Sequence, residues 1–404
     1  MENRLLHTPE GVRDIYNSEC ERKQVIENKL FNVLKQYGYQ AIETPTFEYF
    51  DVFSREIGTT ASKELFKFFD REGNTLVMRP DFTPSIARSA AKYYHDEDMP
   101  VRFGYMGNTF INHLSLQGRL KETTHLGAEL IGDDSVDADA EIVALMIQCL
   151  KSAGLKEFQI SIGHMDFFKG LMKEADLEED TEYQLRELIS NKNHFGIEEL
   201  LAEHEISEDI KLCLMKTPEL FGSIQMLEEA KTMVKNPQSL SALERLEAVY
   251  EALKDYGVED YITFDLGMVS KYKYYTGVIL KAYTYGVGEA LITGGRYDTL
   301  LNHFGKNSAA IGCVLVVNQL LAALSRQKIQ VETEHDKVLL VYETETRTAA
   351  VEKATVMRNE GRKVTMLLKK KEWSKEDCIS YAKRNHFASI ISMDKDGTGK
   401  EDLV

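Results

Sequence analysis

No run of about 18 apolar residues occurs in this 404-residue chain, so nothing in it reads as a membrane-spanning helix. It opens without a charged-then-apolar leader, and it reads as cytoplasmic. Cysteine is sparse and scattered: Cys20, Cys149, Cys213, Cys313 and Cys378 stand singly. An odd, dispersed set with no CxxC or Cys/His cluster argues against a disulfide framework and against a zinc site, so neither metal nor cofactor is expected. Positive charge is also in short supply. Lys and Arg number 49 against 65 Asp and Glu, a formal net charge of −16. A protein that docks tRNA usually presents a basic face, because neutralised phosphates and released counterions supply much of the affinity. The acidic total leaves room for a local basic patch but moves the expectation away from nucleic acid. No internal repeat or low-complexity segment is evident.

The rest is the composition of a soluble globular protein, with 43% hydrophobic and 28% charged residues and length enough for two or three cores. An amphipathic helix is predicted over 19–37 from the spacing of Val25, Leu30, Val33, Leu34 and Tyr37, with Gly38 as its stop. A short strand over 40–48 runs into Pro45. Strands follow at 76–78 and 101–105, and the acidic stretch 133–139 offers N-caps for a helix over 140–153. Residues 167–256 read as wholly helical, broken by Pro218 and Pro237, and their Glu, Leu and Lys pattern reads as solvated helix faces. Alternating strands return at 262–266, 278–283 and 290–292, which suits an antiparallel sheet. A polar linker over 325–336 precedes a β-α-β-α-β pattern, implying a small parallel sheet with crossover helices. Its triplet Lys369-Lys370-Lys371 reads as a solvated loop.

Residues 101–132 carry the most specific pattern, VRFGYMGNTFINHLSLQGRLKETTHLGAELIG. Gly118-Arg119, Lys121-Glu122, His125, Gly127, Glu129 and Gly132 fall on the second signature of the class II aminoacyl-tRNA synthetases. Tyr274-Tyr275-Thr276-Gly277 and Gly294-Gly295-Arg296-Tyr297-Asp298 match, in order, the two histidine-pocket motifs of histidyl-tRNA synthetase. The chain resembles that family over about residues 8–325, apart from the helical stretch. The resemblance implies an α+β fold: a class II synthetase-like antiparallel sheet with helices over 1–325, a helical insertion at about 167–258, and a small C-terminal α/β domain over 336–404. That last domain resembles a shortened anticodon-binding domain or is an unrelated addition. The helix, strand and proline of 19–48 would be the first class II signature, which implies a homodimer through the core.

By the same resemblance, a histidine pocket would be formed by Asp81, Thr83, Arg119, His125, Glu129, Tyr274, Tyr275, Arg296 and Tyr297. Carboxylates suit an ammonium, and tyrosines offer an imidazole an apolar face and a hydroxyl tip. Equally, these side chains could satisfy one another in a retained core. The ATP positions depart from the family. Phe110-Ile111-Asn112-His113 stands where the Arg and Glu that grip the α-phosphate and adenine belong. Ile111 can neither hydrogen-bond nor neutralise a phosphate, and His113 is no carboxylate. Ser270 and Gln319 occupy two further arginine positions, Lys273 an aspartate position, and His125 a glutamine position. Losing a single preorganised charge stabiliser typically lowers a rate by about two to three orders of magnitude.

Finally, Arg79-Pro80-Asp81-Phe82-Thr83-Pro84 resembles the segment found in the histidyl-tRNA synthetase-like regulatory subunits of ATP phosphoribosyltransferase. This resemblance implies a non-catalytic subunit that partners the short-form catalytic subunit in hetero-octamers, makes it active in the first step of histidine biosynthesis and makes it sensitive to histidine. tRNA is not an expected partner, nor is a membrane. The alternatives are an active histidyl-tRNA synthetase and a free-standing amino-acid- or tRNA-binding module.

Overall fold

The computed structural model describes residues 4–53, 60–96, 100–114, 118–269, 274–333, 336–394 and 398–404. They fall into two compact units, Met1–Val331 and Glu332–Val404. The first is built on a nine-stranded sheet. Its strands run, edge to edge, Gln40–Ala41, Val101–Phe110, Glu122–Ile131, Ala310–Val316, Ile292–Arg296, Val278–Tyr283, Gln159–His164, Ile262–Asp265 and Phe221–Gly222. Neighbours are antiparallel, as the alternating patterns predict, except that Gln40–Ala41 pairs with Val101–Phe110 and Gln159–His164 with Ile262–Asp265 in parallel.

One face of this sheet is a packing face and the other is a site face, and the period-2 alternation of a strand separates them. In Glu122–Ile131, Leu126, Ala128 and Leu130 are fully buried against Ile26, Leu30 and Leu34 of helix Asn17–Gln36 and Ile142 of helix Val136–Ser152. His125, Glu129 and Ile131 point the other way, and Ile131 packs with Phe82, Ile86, Phe103, Tyr105 and Tyr297. Helix Asn17–Gln36 ends as Gly38 predicts. Gly38 adopts φ 82°, and the Gly38 and Tyr39 amides donate to the Lys35 and Leu34 carbonyls at 3.0 Å each, a Schellman closure. Helix Val136–Ser152 starts earlier than the apolar pattern suggests, because Ser135 caps it by accepting from the Ala138 amide at 3.1 Å.

Between Gln159–His164 and Ile262–Asp265 lie, among the described residues, six α-helices from Met165 to Asp255. Pro237 opens the last of them, capped by Asn236, whose Oδ1 accepts from the Ser239 amide at 2.7 Å. Leu243, Leu246, Val249 and Leu253 of that helix are fully buried and continuous with the core. The helical pattern gave no hint of Phe221–Gly222, which pairs with the sheet's outermost long strand.

The second unit has a four-stranded sheet in the order Val364–Leu368, Val338–Tyr342, Ser389–Met393, Gly399–Leu403. The first three are parallel, with helices Arg347–Asn359 and Lys375–Arg384 packed on opposite faces through Ala350 and Ala354 on one side and Cys378 and Ala382 on the other. The antiparallel strand Gly399–Leu403 was not predicted, since its Lys400, Glu401 and Asp402 show no apolar alternation.

Candidate functional site

The site face carries a cavity of about 140 Å³ where helix Thr83–Tyr93 meets the middle of the sheet. Arg79 anchors the approach to that helix. Its guanidinium is buried, donates to the Asn108 and Thr44 carbonyls at 2.8 and 2.7 Å, and lies 4.1 Å above the Phe82 ring. The chain then turns through Pro80 and Asp81. The Asp81 carboxylate accepts from the Phe82 amide at 2.6 Å, placing a negative charge at the start of the helix and on the cavity wall.

Behind that wall sits Glu129, 1% exposed. The Thr83 hydroxyl donates to it at 2.8 Å, the Tyr297 hydroxyl at 2.5 Å and the Tyr105 hydroxyl at 3.5 Å. No ion pair reaches it among the described residues. Burial pushes its carboxyl up to about 8, against the pull of the hydroxyl donors and with Asp81 adding to the rise. Two glycines make room for this group. A Cβ on Gly312 would lie 1.5 Å from Glu129 Oε2, and one on Gly127 would lie 2.1 Å from the Tyr105 ring, which crosses over it. Tyr105 was missed from the sequence. The strand register sets it directly opposite Gly127, two residues before Glu129, and that pairing is the signal that could have found it.

His125 also lines the cavity. Its Nε2 is 3.1 Å from the Thr123 hydroxyl and 3.3 Å from that of Thr109, while its buried Nδ1 has no partner among the described residues. Burial, with Arg79 nearby, lowers its pKa to about 4, so the imidazole is neutral at pH 7. Tyr274, Tyr275 and Tyr297 complete the wall, with the Tyr274 ring 4.4 Å from Tyr275 and 6.2 Å, edge-on, from Tyr297.

The structure thus brings together Asp81, Thr83, His125, Tyr274, Tyr275 and Tyr297 around one cavity, with Glu129 immediately behind. Arg119 and Arg296, expected with them, stand elsewhere. Arg296 is 4% exposed and donates to Asp139 at 2.6 Å, to Asp298 at 3.2 Å and to the Asp133 carbonyl at 3.0 Å. Arg245, from the insertion, takes the other Asp139 oxygen at 2.8 Å. Adjacent residues at a strand end point to opposite faces, so Tyr297 enters the site and Arg296 the packing side. Arg119 is exposed, 3.3 Å from Glu289, which also accepts from Gln319 at 2.9 Å. Ile111 does line the cavity, and His113 does not. Ser270 and Lys273 lie outside the described residues. Among the described residues no three His, Cys, Asp or Glu side chains are grouped to hold a metal ion.

Comparison with known proteins places this geometry. The family model described as histidyl-tRNA synthetase matches residues 11–320. An ATP phosphoribosyltransferase regulatory subunit from Acetivibrio thermocellus is 41% identical over 356 residues, 88% of this chain and 85% of that protein. The chain belongs to the ATP phosphoribosyltransferase regulatory subunit family. A second regulatory subunit, from Thermoanaerobacter pseudethanolicus, is 37% identical and spans 97% of this chain and all of that one. The crystal structure of an ATP phosphoribosyltransferase regulatory subunit/histidyl-tRNA synthetase from Bacillus halodurans superposes with a TM-score of 0.86 at 32% identity, covering 96% of this chain and 98% of that one. Histidyl-tRNA synthetase from Nostoc sp. PCC 7120 shares the fold at a TM-score of 0.81 and 18% identity, over 98% and 97% of the two chains. The regulatory-subunit family therefore shares the class II synthetase fold.

Proposed function

We propose that the chain is the non-catalytic subunit that a short-form ATP phosphoribosyltransferase catalytic subunit requires for the first step of histidine biosynthesis, and that it confers feedback control by histidine. The observation that carries this reading is the asymmetry of the cavity. Its amino-acid wall is furnished with Asp81, His125 and three tyrosines, whereas its nucleotide end offers Ile111 in place of a phosphate-gripping arginine. At about 140 Å³ the cavity is smaller than the roughly 300–1,000 Å³ typical of sites for larger ligands, and suits a single amino acid.

Histidine is the proposed ligand. Its ammonium meets Asp81, with Glu129 behind, and its imidazole lies among Tyr274, Tyr275 and Tyr297. Gln319 tied to Glu289 and Ile111 on the cavity wall argue against the alternative of an active histidyl-tRNA synthetase. Control follows if histidine and the catalytic partner prefer different states of the assembly, since a ligand shifts an equilibrium only by its differential affinity. A homodimer through the core is supported by the small sheet of Phe47–Tyr49, Lys67–Phe69 and Thr75–Met78, which leaves Phe47, Tyr49 and Phe68 exposed. The proposed assembly is a cytoplasmic hetero-octamer.

Mixing the full chain with a short catalytic subunit tests this. Phosphoribosyl transfer should appear only in the mixture and fall as histidine is added. No activation at any ratio would remove the regulatory role, and robust histidine-dependent pyrophosphate exchange by the chain alone would remove its non-catalytic character.

A further inference from the structure

A larger cavity of the first unit shares no lining residue with the one on the site face. It encloses about 530 Å³ between the start of helix Asn17–Gln36 and the far side of helix Val317–Arg326. Its charge is opposite to that of the protein. Arg13, Arg22, Lys23 and Lys328 line it with Glu19 as the one carboxylate among its lining residues, in a chain of net charge −16. Ile15, Leu321 and Ile329 give it an apolar floor, and Asn318 and Gln330 add amide groups. The volume falls within the roughly 300–1,000 Å³ of small-molecule sites.

Local structure accounts for two of these cations and leaves two. Arg13 is held by Glu19, with Nη1 donating at 3.0 Å, and Lys23 pairs with Glu27. Arg22 and Lys328 have no ion-pair or hydrogen-bond partner for their side chains among the described residues. Arg22 and Lys23 stand in the second turn of their helix, away from the C-terminal end where the helix dipole would favour cations. Lys23 to Glu27 is also the poorer orientation for such a pair. Lys328 follows a helix C-terminus, which favours it, but it is held in the left-handed region at φ 58°, where a residue with a side chain is strained. Two distant stretches of chain thus converge four cations on one concave, part-apolar space, an arrangement that focuses a positive field.

We propose that this cavity binds a phosphorylated small molecule, a polyanion with an apolar or planar body, at a place separate from the amino-acid site. Several converging cations match the charge of a di- or triphosphate. A monocarboxylate brings a single charge to the two cations, Arg22 and Lys328, that local carboxylates leave unpaired among the described residues. Arginine's fork is suited to bidentate phosphate contacts. The assignment stands independently of the histidine reading, because no residue lines both cavities.

Calorimetric titration of the full chain with inorganic pyrophosphate and with ATP tests it, using the variant Arg22→Gln/Lys328→Gln. Both positions are exposed, so the variant should fold, and an unchanged melting temperature checks this. At least one probe should bind the unmodified chain, more weakly as salt rises, and the variant should lose about tenfold or more. A control, Lys92→Gln/Lys211→Gln, removes two cations that do not line the cavity and should bind as the unmodified chain does. No binding of either probe up to about 1 mM, equal binding by both double variants, or binding of tRNA alone would overturn the proposal.

Discussion

Around the smaller cavity, two ends that would serve one reaction in a synthetase have come to differ. At the amino-acid end, Thr83, Tyr105 and Tyr297 converge on Glu129 from a helix and two further strand segments, and each bond ties one element to the next. At the nucleotide end, Ile111 faces the cavity and Gln319 is drawn to Glu289 outside it, where Arg119, expected in the amino-acid pocket, also lies. Groups that also hold the fold together are difficult to lose singly, because a buried acceptor left without its donors is destabilising. Groups that served only a bound nucleotide can be replaced with no penalty to stability. The amino-acid end therefore has a packing reason to persist, whatever it binds.

Substitutions that separate the two ends should differ in size. The largest effect is expected outside the cavity altogether. Asp139→Ala would leave Arg296 and Arg245 without their shared carboxylate, destabilising the chain by about 3–5 kcal/mol in urea titration. A loss of only a few tenths would show that Arg296 is not structural. Next is pH. Glu129, with an ordinary value of 4.5 and a folded value near 8, stays protonated in the folded chain and ionises on unfolding, so its contribution is full below 4.5 and is lost as pH rises through 8. His125, lowered from 6.5 to about 4, acts the other way, its contribution being lost as pH falls from 6.5 to 4. Between pH 6.5 and 8 the Glu129 trend should stand alone. Glu129→Gln should remove a decline of up to about 2 kcal/mol across that window, read from urea midpoints at the two pH values.

Tyr297→Phe should cost about 1 kcal/mol by removing the 2.5 Å bond, and should weaken histidine binding in the same titration that leaves Asp139→Ala unaffected once folded. If histidine affinity did not change, the amino-acid end would be packing alone. Smallest of all, Arg119→Gln breaks an exposed pair with Glu289 and should shift stability by less than about 0.5 kcal/mol, with histidine control of the mixed enzyme intact. A large loss of control there would return Arg119 to the site.

Much of this arrangement was legible in the chain. The spacing of Leu30, Val33 and Leu34 with Gly38 after them sufficed for the first helix, and the family resemblance of the tyrosine-bearing motifs pointed to side chains that line one cavity, Tyr274, Tyr275 and Tyr297. The misplacement of Arg296 has a simple cause. A motif records which residues are neighbours in sequence, but on a strand neighbours face apart, so Arg296 and Tyr297 could not both enter the site. Tyr105 was hidden for the converse reason, since its partnership with Glu129 runs across strands. Gly399–Leu403 escaped notice because a charged edge strand is held by main-chain bonds its side chains do not advertise.

The main sheet begins and ends in two-residue strands, Gln40–Ala41 and Phe221–Gly222. Each border strand itself offers only two residues of main chain to a stray strand, and very short edge strands are one way in which sheets resist edge-to-edge growth. Phe221–Gly222 comes from the helical insertion and pairs with Phe264 and Asp265 at the end of Ile262–Asp265. A chain trimmed of the insertion would bare that edge as well as part of the core, and would be expected to aggregate more readily.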